Sequence, residues 1–201
     1  MQLDSTCIFG DLTDIACSFW PNDPRAKIQT AKTSPMRGHL YCYRHCRRCP
    51  LRHVDLDITG TPCTDYSLAH GQRMGILGKT FPVFLCWSQL IQRLEVPLWI
   101  HENVVQQPSE LFRDVFDAEM YRIIHLEVSP DMVGFNLIAR RRRYTVGINV
   151  KRAELIADPE EMLQFITGHL SNVQTQPKDA LLADLPEILQ EVQYVCDLRS
   201  M

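Results

Sequence analysis

The sequence predicts an α/β fold with a mostly parallel sheet. Short segments of period-two apolar alternation are separated by segments of helical spacing, which is the strand-and-helix order of such folds. Two short reactive motifs also fall where strands end, the place where α/β sheets put their ligands. At 201 residues, 45% hydrophobic and 22% charged, the chain is long enough and apolar enough for one domain with a sizeable core.

The elements follow in order. Thr6-Cys7-Ile8-Phe9-Gly10-Asp11-Leu12 reads as a short strand ending in a Gly-Asp turn. Residues 13–52 read as irregular, because Pro21, Pro24, Pro35 and Gly38 punctuate them and no apolar period persists. Val54, Leu56 and Ile58 alternate with Asp55 and Asp57, a strand ended by Gly60 and Pro62. A polar loop runs from Asp65 to Gly78. Helical spacing follows from Phe81 to Leu94, with Phe84, Leu85, Trp87, Leu90, Ile91 and Leu94 on one broad face. Pro97-Leu98-Trp99-Ile100 is a strand leading into Glu102-Asn103-Val104. Ser109 is placed to cap a helix over Glu110–Met120, whose acidic first turn suits the helix dipole. Tyr121–Val128 and Tyr144–Val150 are further strands. Asp158-Pro159-Glu160-Glu161 has the capping-box form and opens a helix to Leu170. A last helix is expected over Pro186–Leu198, after an inter-helix loop at Ser171–Lys178.

The net charge of −3 hides an uneven layout. Between Asp23 and His53 the only acid is Asp23, against Arg25, Lys27, Lys32, Arg37, Arg44, Arg47, Arg48 and Arg52. Arg140-Arg141-Arg142-Arg143 forms a second basic run, and acids dominate after Glu154. This asymmetry suggests an anion-binding face, with a solvated basic loop as the alternative. No stretch approaches the roughly 20 apolar residues of a membrane span. The first residues lack a signal-peptide layout, so the eight cysteines suit a reducing, intracellular compartment, as thiols, metal ligands or a nucleophile. Cys42, Cys46, Cys49 and His53, with His39 and His45 nearby, read as free thiols and imidazoles in a basic loop, with a zinc site on those four as the alternative.

The stretch Thr61-Pro62-Cys63-Thr64-Asp65-Tyr66-Ser67 resembles the Pro-Cys-Gln-x-Phe-Ser motif of the C5 cytosine-specific DNA methyltransferase family. His101-Glu102-Asn103-Val104, whose glutamate lies 39 residues after Cys63, is similar to that family's Glu-Asn-Val motif. Ala139-Arg140-Arg141-Arg142-Arg143 resembles its Gln-x-Arg-x-Arg motif, with Ala139 in place of the glutamine. Phe9-Gly10-Asp11-Leu12 resembles the Gly-Asp-Ile turn that meets the adenine of S-adenosylmethionine. These motifs cover residues 7–150 in the family's order.

The resemblance implies a set of roles. Cys63 would be the nucleophile and Glu102 the acid at N3 of the base. Arg143, and with it Arg141, would contact the base or orient its loop. Asp11 would touch S-adenosylmethionine, and Pro62 would line the pocket. Arg44, Arg47, Arg48, Arg140 and Arg142 would meet nucleic acid, with DNA expected as the partner and RNA as the alternative. In a eukaryote the protein would be nuclear. The implied fold is a partial Rossmann-like S-adenosylmethionine-dependent methyltransferase sheet flanked by helices. Residues 1–150 would form the catalytic core, with a basic Cys/His-rich insertion at 21–53, and residues 151–201 a helical C-terminal extension.

The chemistry fits these residue types. C5 of cytosine is a poor nucleophile until a thiolate adds to C6 and makes it enamine-like. A carboxylic acid at N3 offsets the charge that the addition drives into the ring. The family's first two strands, its Phe-x-Gly-x-Gly loop and its closing segments have no counterpart here. The expectation is therefore a catalytic-core fragment or divergent member with an incomplete cofactor site. An inactive nucleic-acid-binding relative, a tRNA cytosine-5 methyltransferase relative and a zinc-stabilised interaction module remain as alternatives.

Overall fold

A computed structural model of the chain describes residues 6–16, 20–69, 71–134, 140–170 and positions 189, 190 and 193. It divides into two compact units, Met1–Val128 with Arg141–Pro159 and Ser129–Arg140 with Glu160–Met201. The first unit carries α1 (Pro24–Thr33), β1 (His39–Cys42), β2 (Arg47–Pro50), β3 (Leu56–Thr59), α2 (Phe81–Arg93), β4 (Leu98–Asn103), α3 (Glu110–Val115), β5 (Tyr121–Val128) and β6 (Arg142–Asn149). In the second unit lie a 3-10 turn at Pro130–Val133 and α4 (Pro159–Leu170), which starts at the boundary. Among the described residues no helix is long and apolar enough to cross a membrane.

The fold is α/β, with a four-stranded mixed sheet in the order β3-β4-β6-β5 and α2 and α3 packed on it through Trp87 and Phe112. Only β3 and β4 form a parallel pair. Their connection contains α2, long enough for the crossover that parallel neighbours require. β6 runs antiparallel to both β4 and β5, so β3, β4 and β5 share one direction and β6 opposes them. The expected mostly parallel sheet is thus a mixed one, because β6 returns between β4 and β5.

One face of this sheet is aromatic. β4 alternates in burial, with Trp99, His101 and Asn103 buried and their neighbours half-buried. Trp99 stacks on Phe116 at 4.7 Å between ring centres and meets Trp87 edge-on at 5.1 Å. Phe84 and Phe112 of α2 and α3 meet edge-on at 5.2 Å. Gly147, opposite Trp99 on β6, leaves room for the indole: a Cβ there would lie 1.9 Å from Cε2 of Trp99. Trp87 donates from its indole nitrogen to Asp57 at 3.0 Å, so an acid of β3 serves the helix layer.

Several sequence expectations change. Thr6–Leu12 forms a single bridge, Phe9 to Cys42, rather than a strand of the main sheet. A 3-10 turn at Leu12–Ile15 follows, capped by Asp11. The segment read as irregular holds α1 and the β1–β2 hairpin. Asp23 caps α1 by accepting from the N–H of Ala26, with Pro24 in the first turn. α3 stops at Val115 instead of Met120, since Phe116 turns extended and enters the aromatic core; Ser109 makes no side-chain cap. The last expected helix lies outside the described residues except for Leu189, Gln190 and Gln193, all helical.

Candidate functional site

The parallel register pairs Thr59 with His101, so the residues that follow β3 run beside the end of β4. Buried polar groups tie the two ends together. Asn103 donates from Nδ2 to the carbonyl of Thr61 at 3.1 Å, and its Oδ1 accepts from the N–H of Val104 at 2.8 Å. The Thr61 hydroxyl lies 2.8 Å from Nε2 of His101. Burial among Phe84, Trp87 and Phe112 pushes His101 down to about 3, so its ring stays neutral across ordinary pH.

Cys63 follows on this tether. Its carbonyl accepts from the N–H groups of Tyr66 and Ser67, a turn that leaves the residue half-buried beside the exposed Pro62. Two residues on, the buried Asp65 accepts from both the backbone and the hydroxyl of Thr80 at the start of α2. Gly78 packs directly on that carboxylate, where a Cβ would come within 1.9 Å. Asp65 thus ties the start of the loop after Cys63 to its far end, where α2 begins. A pocket of about 540 Å³ lies along it, lined by Thr64, Asp65, Gln72 and Lys79 among others.

Glu102 belongs to the opposite face of β4 from Asn103. Its Oε2 would lie 3.3 Å from a Cβ at Gly60, so the bare backbone of Gly60 lets the carboxylate reach over the strand end that leads to Cys63. Arg142 holds this carboxylate, with Nε 2.8 Å from Oε1. Strand alternation explains why this arginine does so. Tyr144 pairs directly with Glu102, and Arg142, two residues earlier on β6, shares its face as a diagonal neighbour. Arg143 pairs with Asn103 and lies on the other face. There it donates to the carbonyl of Gln107 and to Glu127 at 2.9 Å. The side chains of Glu102 and Arg142 are 39% and 23% exposed, so this pair positions the carboxylate more than it stabilises the fold.

The remaining candidates scatter. Arg141 and Arg140 are exposed, as are Arg44, Arg47 and Arg48 on the β1–β2 hairpin. Tyr41 and Tyr43 stand exposed on the same hairpin, edge to face at 5.4 Å. Asp11 spends its Oδ1 on the N–H and hydroxyl of Thr13, and these bonds hold its carboxyl below the usual range. A Cβ at Gly10 would meet the Tyr43 ring at 3.0 Å.

No protein-family model matches the chain, and no curated protein matches it in sequence. Among solved structures it is similar to a protein described as a DNA modification methyltransferase encoded within an E. coli prophage. That match has 20% identity and a TM-score of 0.38, covering 52% of this chain and 29% of the other. It is similar as well to the S. pombe Dnmt2 methyltransferase, at 17% identity and a TM-score of 0.38, over 55% of this chain and 33% of that one. The Entamoeba histolytica methyltransferase EhMeth gives 15% identity and a TM-score of 0.39, over 74% and 50%. The chain spans half or less of the length of each. With scores this low, only residues of this chain can decide its chemistry.

Two residues at the site escaped the motif reading: Arg142 as the partner of Glu102, and Asn103 as the clamp on the Cys63 segment. Continuing the alternation of the last strand back to Arg142 would have separated Arg142 from Arg143. Of the candidate zinc ligands, Cys42 and Cys49 are buried and adjacent to His45 and Cys7. Cys46 and His53 are elsewhere. Cys46 is exposed in a left-handed turn conformation, φ 47°, with its thiol toward the carbonyl of Tyr43. His53 has Nδ1 2.9 Å from the carbonyl of Leu94 and Nε2 facing Asp55.

Proposed function

We propose that this chain engages a cytosine of a nucleic acid in the manner of C5 cytosine methyltransferases, with Cys63 as nucleophile, Glu102 as acid and Arg142 as the cation that orients Glu102 and reaches the base. The observation that supports it is the approach of Glu102 over Gly60, three residues before Cys63, with Arg142 on the same carboxylate. A base extruded from its strand and laid at the ends of β3 and β4 would meet the thiol on one side and the carboxyl on the other. The Cys63 thiolate forms a bond to C6, and the C5–C6 π pair moves onto C5 and the ring. A proton from Glu102 at N3 offsets that charge. C5 can then take a proton from water and give up its original hydrogen as a proton to water. That C–H pair re-forms C5=C6 as the S–C6 bond breaks to release the thiolate, while N3 returns its proton to Glu102. Arg142 has donors for the cytosine O2 while Nε keeps Glu102 oriented. Where a methyl donor is bound, C5 would take a methyl group in place of that proton.

The exchange at C5 needs no methyl donor and so tests the site directly. Oligonucleotides tritiated at C5 of cytosine should release tritium with the intact chain and not with Cys63→Ser. Glu102→Gln should slow release by about 10²–10⁴-fold. No release from single-stranded or duplex substrates, with nucleic acid demonstrably bound, would leave the second reading, a non-catalytic nucleic-acid binder. The exposed arginines and paired tyrosines of the β1–β2 hairpin favour that alternative. Titration with S-adenosylhomocysteine separates a donor-binding enzyme from both.

A further inference from the structure

We infer that Cys7, Cys42, His45 and Cys49 form a closed structural zinc site. It joins the segment before α1 to the β1–β2 hairpin. Their four ligand atoms lie within 4.8 Å of one another. Nδ1 of His45 sits 3.6 Å from the Cys7 sulfur, 3.2 Å from that of Cys42 and 3.4 Å from that of Cys49. A tetrahedral zinc with ordinary Zn–S and Zn–N bonds has ligand-to-ligand edges of about 3.5 to 3.8 Å. Three thiols and one imidazole converging at that spacing match the site in both chemistry and size.

The hairpin is built to present them. Leu40 and Cys42 face inward on β1, and Cys49, paired with Leu40, faces inward on β2. Left-handed backbone at Cys46 turns the chain between His45 and β2 and points that residue outward. Cys7, 38 residues before His45, is brought in by long-range backbone pairing with the hairpin. Tyr43 donates its N–H to the carbonyl of Ile8 at 2.8 Å, and Phe9 bridges Cys42. The N–H of Ile8 donates to the Cys42 sulfur at 3.3 Å, the kind of contact that supports a metal-bound thiolate.

Three soft thiolates with an imidazole select zinc over calcium or magnesium. Four protein ligands fill its tetrahedron, so the ion is structural and leaves no position for a substrate. Cys42 is fully buried and Cys49 is 5% exposed, while Cys7 and His45 are half-buried at the rim of the site. Such an ion would fix the face that carries Tyr41, Tyr43, Arg44, Arg47 and Arg48.

The test is metal analysis of the full chain purified under reducing conditions, with about one zinc per chain expected. Cys7→Ser, Cys42→Ser and Cys49→Ser should each lose most of it. Cys46→Ser and His53→Ala should keep it, and His45→Cys should also keep it as a four-thiolate site. Cobalt exchanged into the site should give tetrahedral d–d bands with thiolate charge transfer, a readout independent of whether the serine variants fold. Metal-free protein with all thiols reduced, equal zinc loss from Cys46→Ser, or a Cys42–Cys49 disulfide by mass spectrometry would overturn the assignment.

Discussion

The Cys63 segment hangs on two buried polar side chains, His101 and Asn103. Neither reacts: His101 pairs with the Thr61 hydroxyl, and Asn103 bonds the Thr61 carbonyl and the Val104 N–H. Asn103→Ala would leave the Thr61 carbonyl and the Val104 N–H without these bonds and should cost about 1–3 kcal/mol in denaturant unfolding. Tritium exchange should fall with it even at temperatures where the variant stays folded. His101 makes a second prediction. Its folded value of about 3 lies below the 6.5 of an exposed histidine, so the unfolded chain takes the proton first. Stability from the neutral ring is complete above pH 6.5 and is lost as pH falls toward 3, by at most about 1.4 kcal/mol per pH unit. Unfolding curves at pH 7 and pH 5 should show a smaller loss for His101→Gln than for the intact chain. An equal loss in both would mean that this histidine is not held neutral.

At the scale of elements, legibility followed periodicity. β5 and the start of α2 fall where the pattern puts them, because their apolar residues recur at the right interval over enough turns or pleats. α1 did not show, since its buried positions are Lys27 and Ala31, which carry little apolar signal. Its clue was the Asp23-Pro24 cap, the same pairing that marked α4. Asp23→Ala should lower stability by about 0.5–2 kcal/mol and lower helical circular dichroism with it. β4 and β6 meet through a contact that no propensity scale records, the indole of Trp99 in the space of Gly147. Gly147→Ala must displace a ring held by Trp87, Phe116 and Tyr121. A loss above about 3 kcal/mol in thermal unfolding is expected there. In the candidate site, Cys63 and Glu102 were legible from short motifs. Cys7 and Arg142 were not, because long-range pairing and strand register choose them.

For the whole molecule, a net charge of −3 is a poor guide to partners. Arg44, Arg47 and Arg48 are exposed together on one hairpin, beside an exposed tyrosine pair suited to stacking on bases. If this face grips phosphates, replacing all three with glutamine should weaken binding to any sequence alike. The log–log salt slope should become shallower by about 2–3. An unchanged slope would move the nucleic-acid surface elsewhere. The C5 tritium assay on a free oligonucleotide at saturating concentration should be spared, since these arginines are not among the groups at Glu102.

The alternation that gives Arg142 to Glu102 and Arg143 to Glu127 makes the four-arginine run a matter of parity. Arg142 and Arg143 project from opposite faces of β6, so their worth depends on phase rather than on amount of charge. Slipping β6 by a single residue would leave the composition unchanged while exchanging which guanidinium meets which carboxylate. Two added residues in the link before Arg141 should be tolerated far better than an extra residue inside β6 between Arg142 and Tyr144. That makes the spacing between Arg142 and Tyr144 as much a part of the site as the thiol.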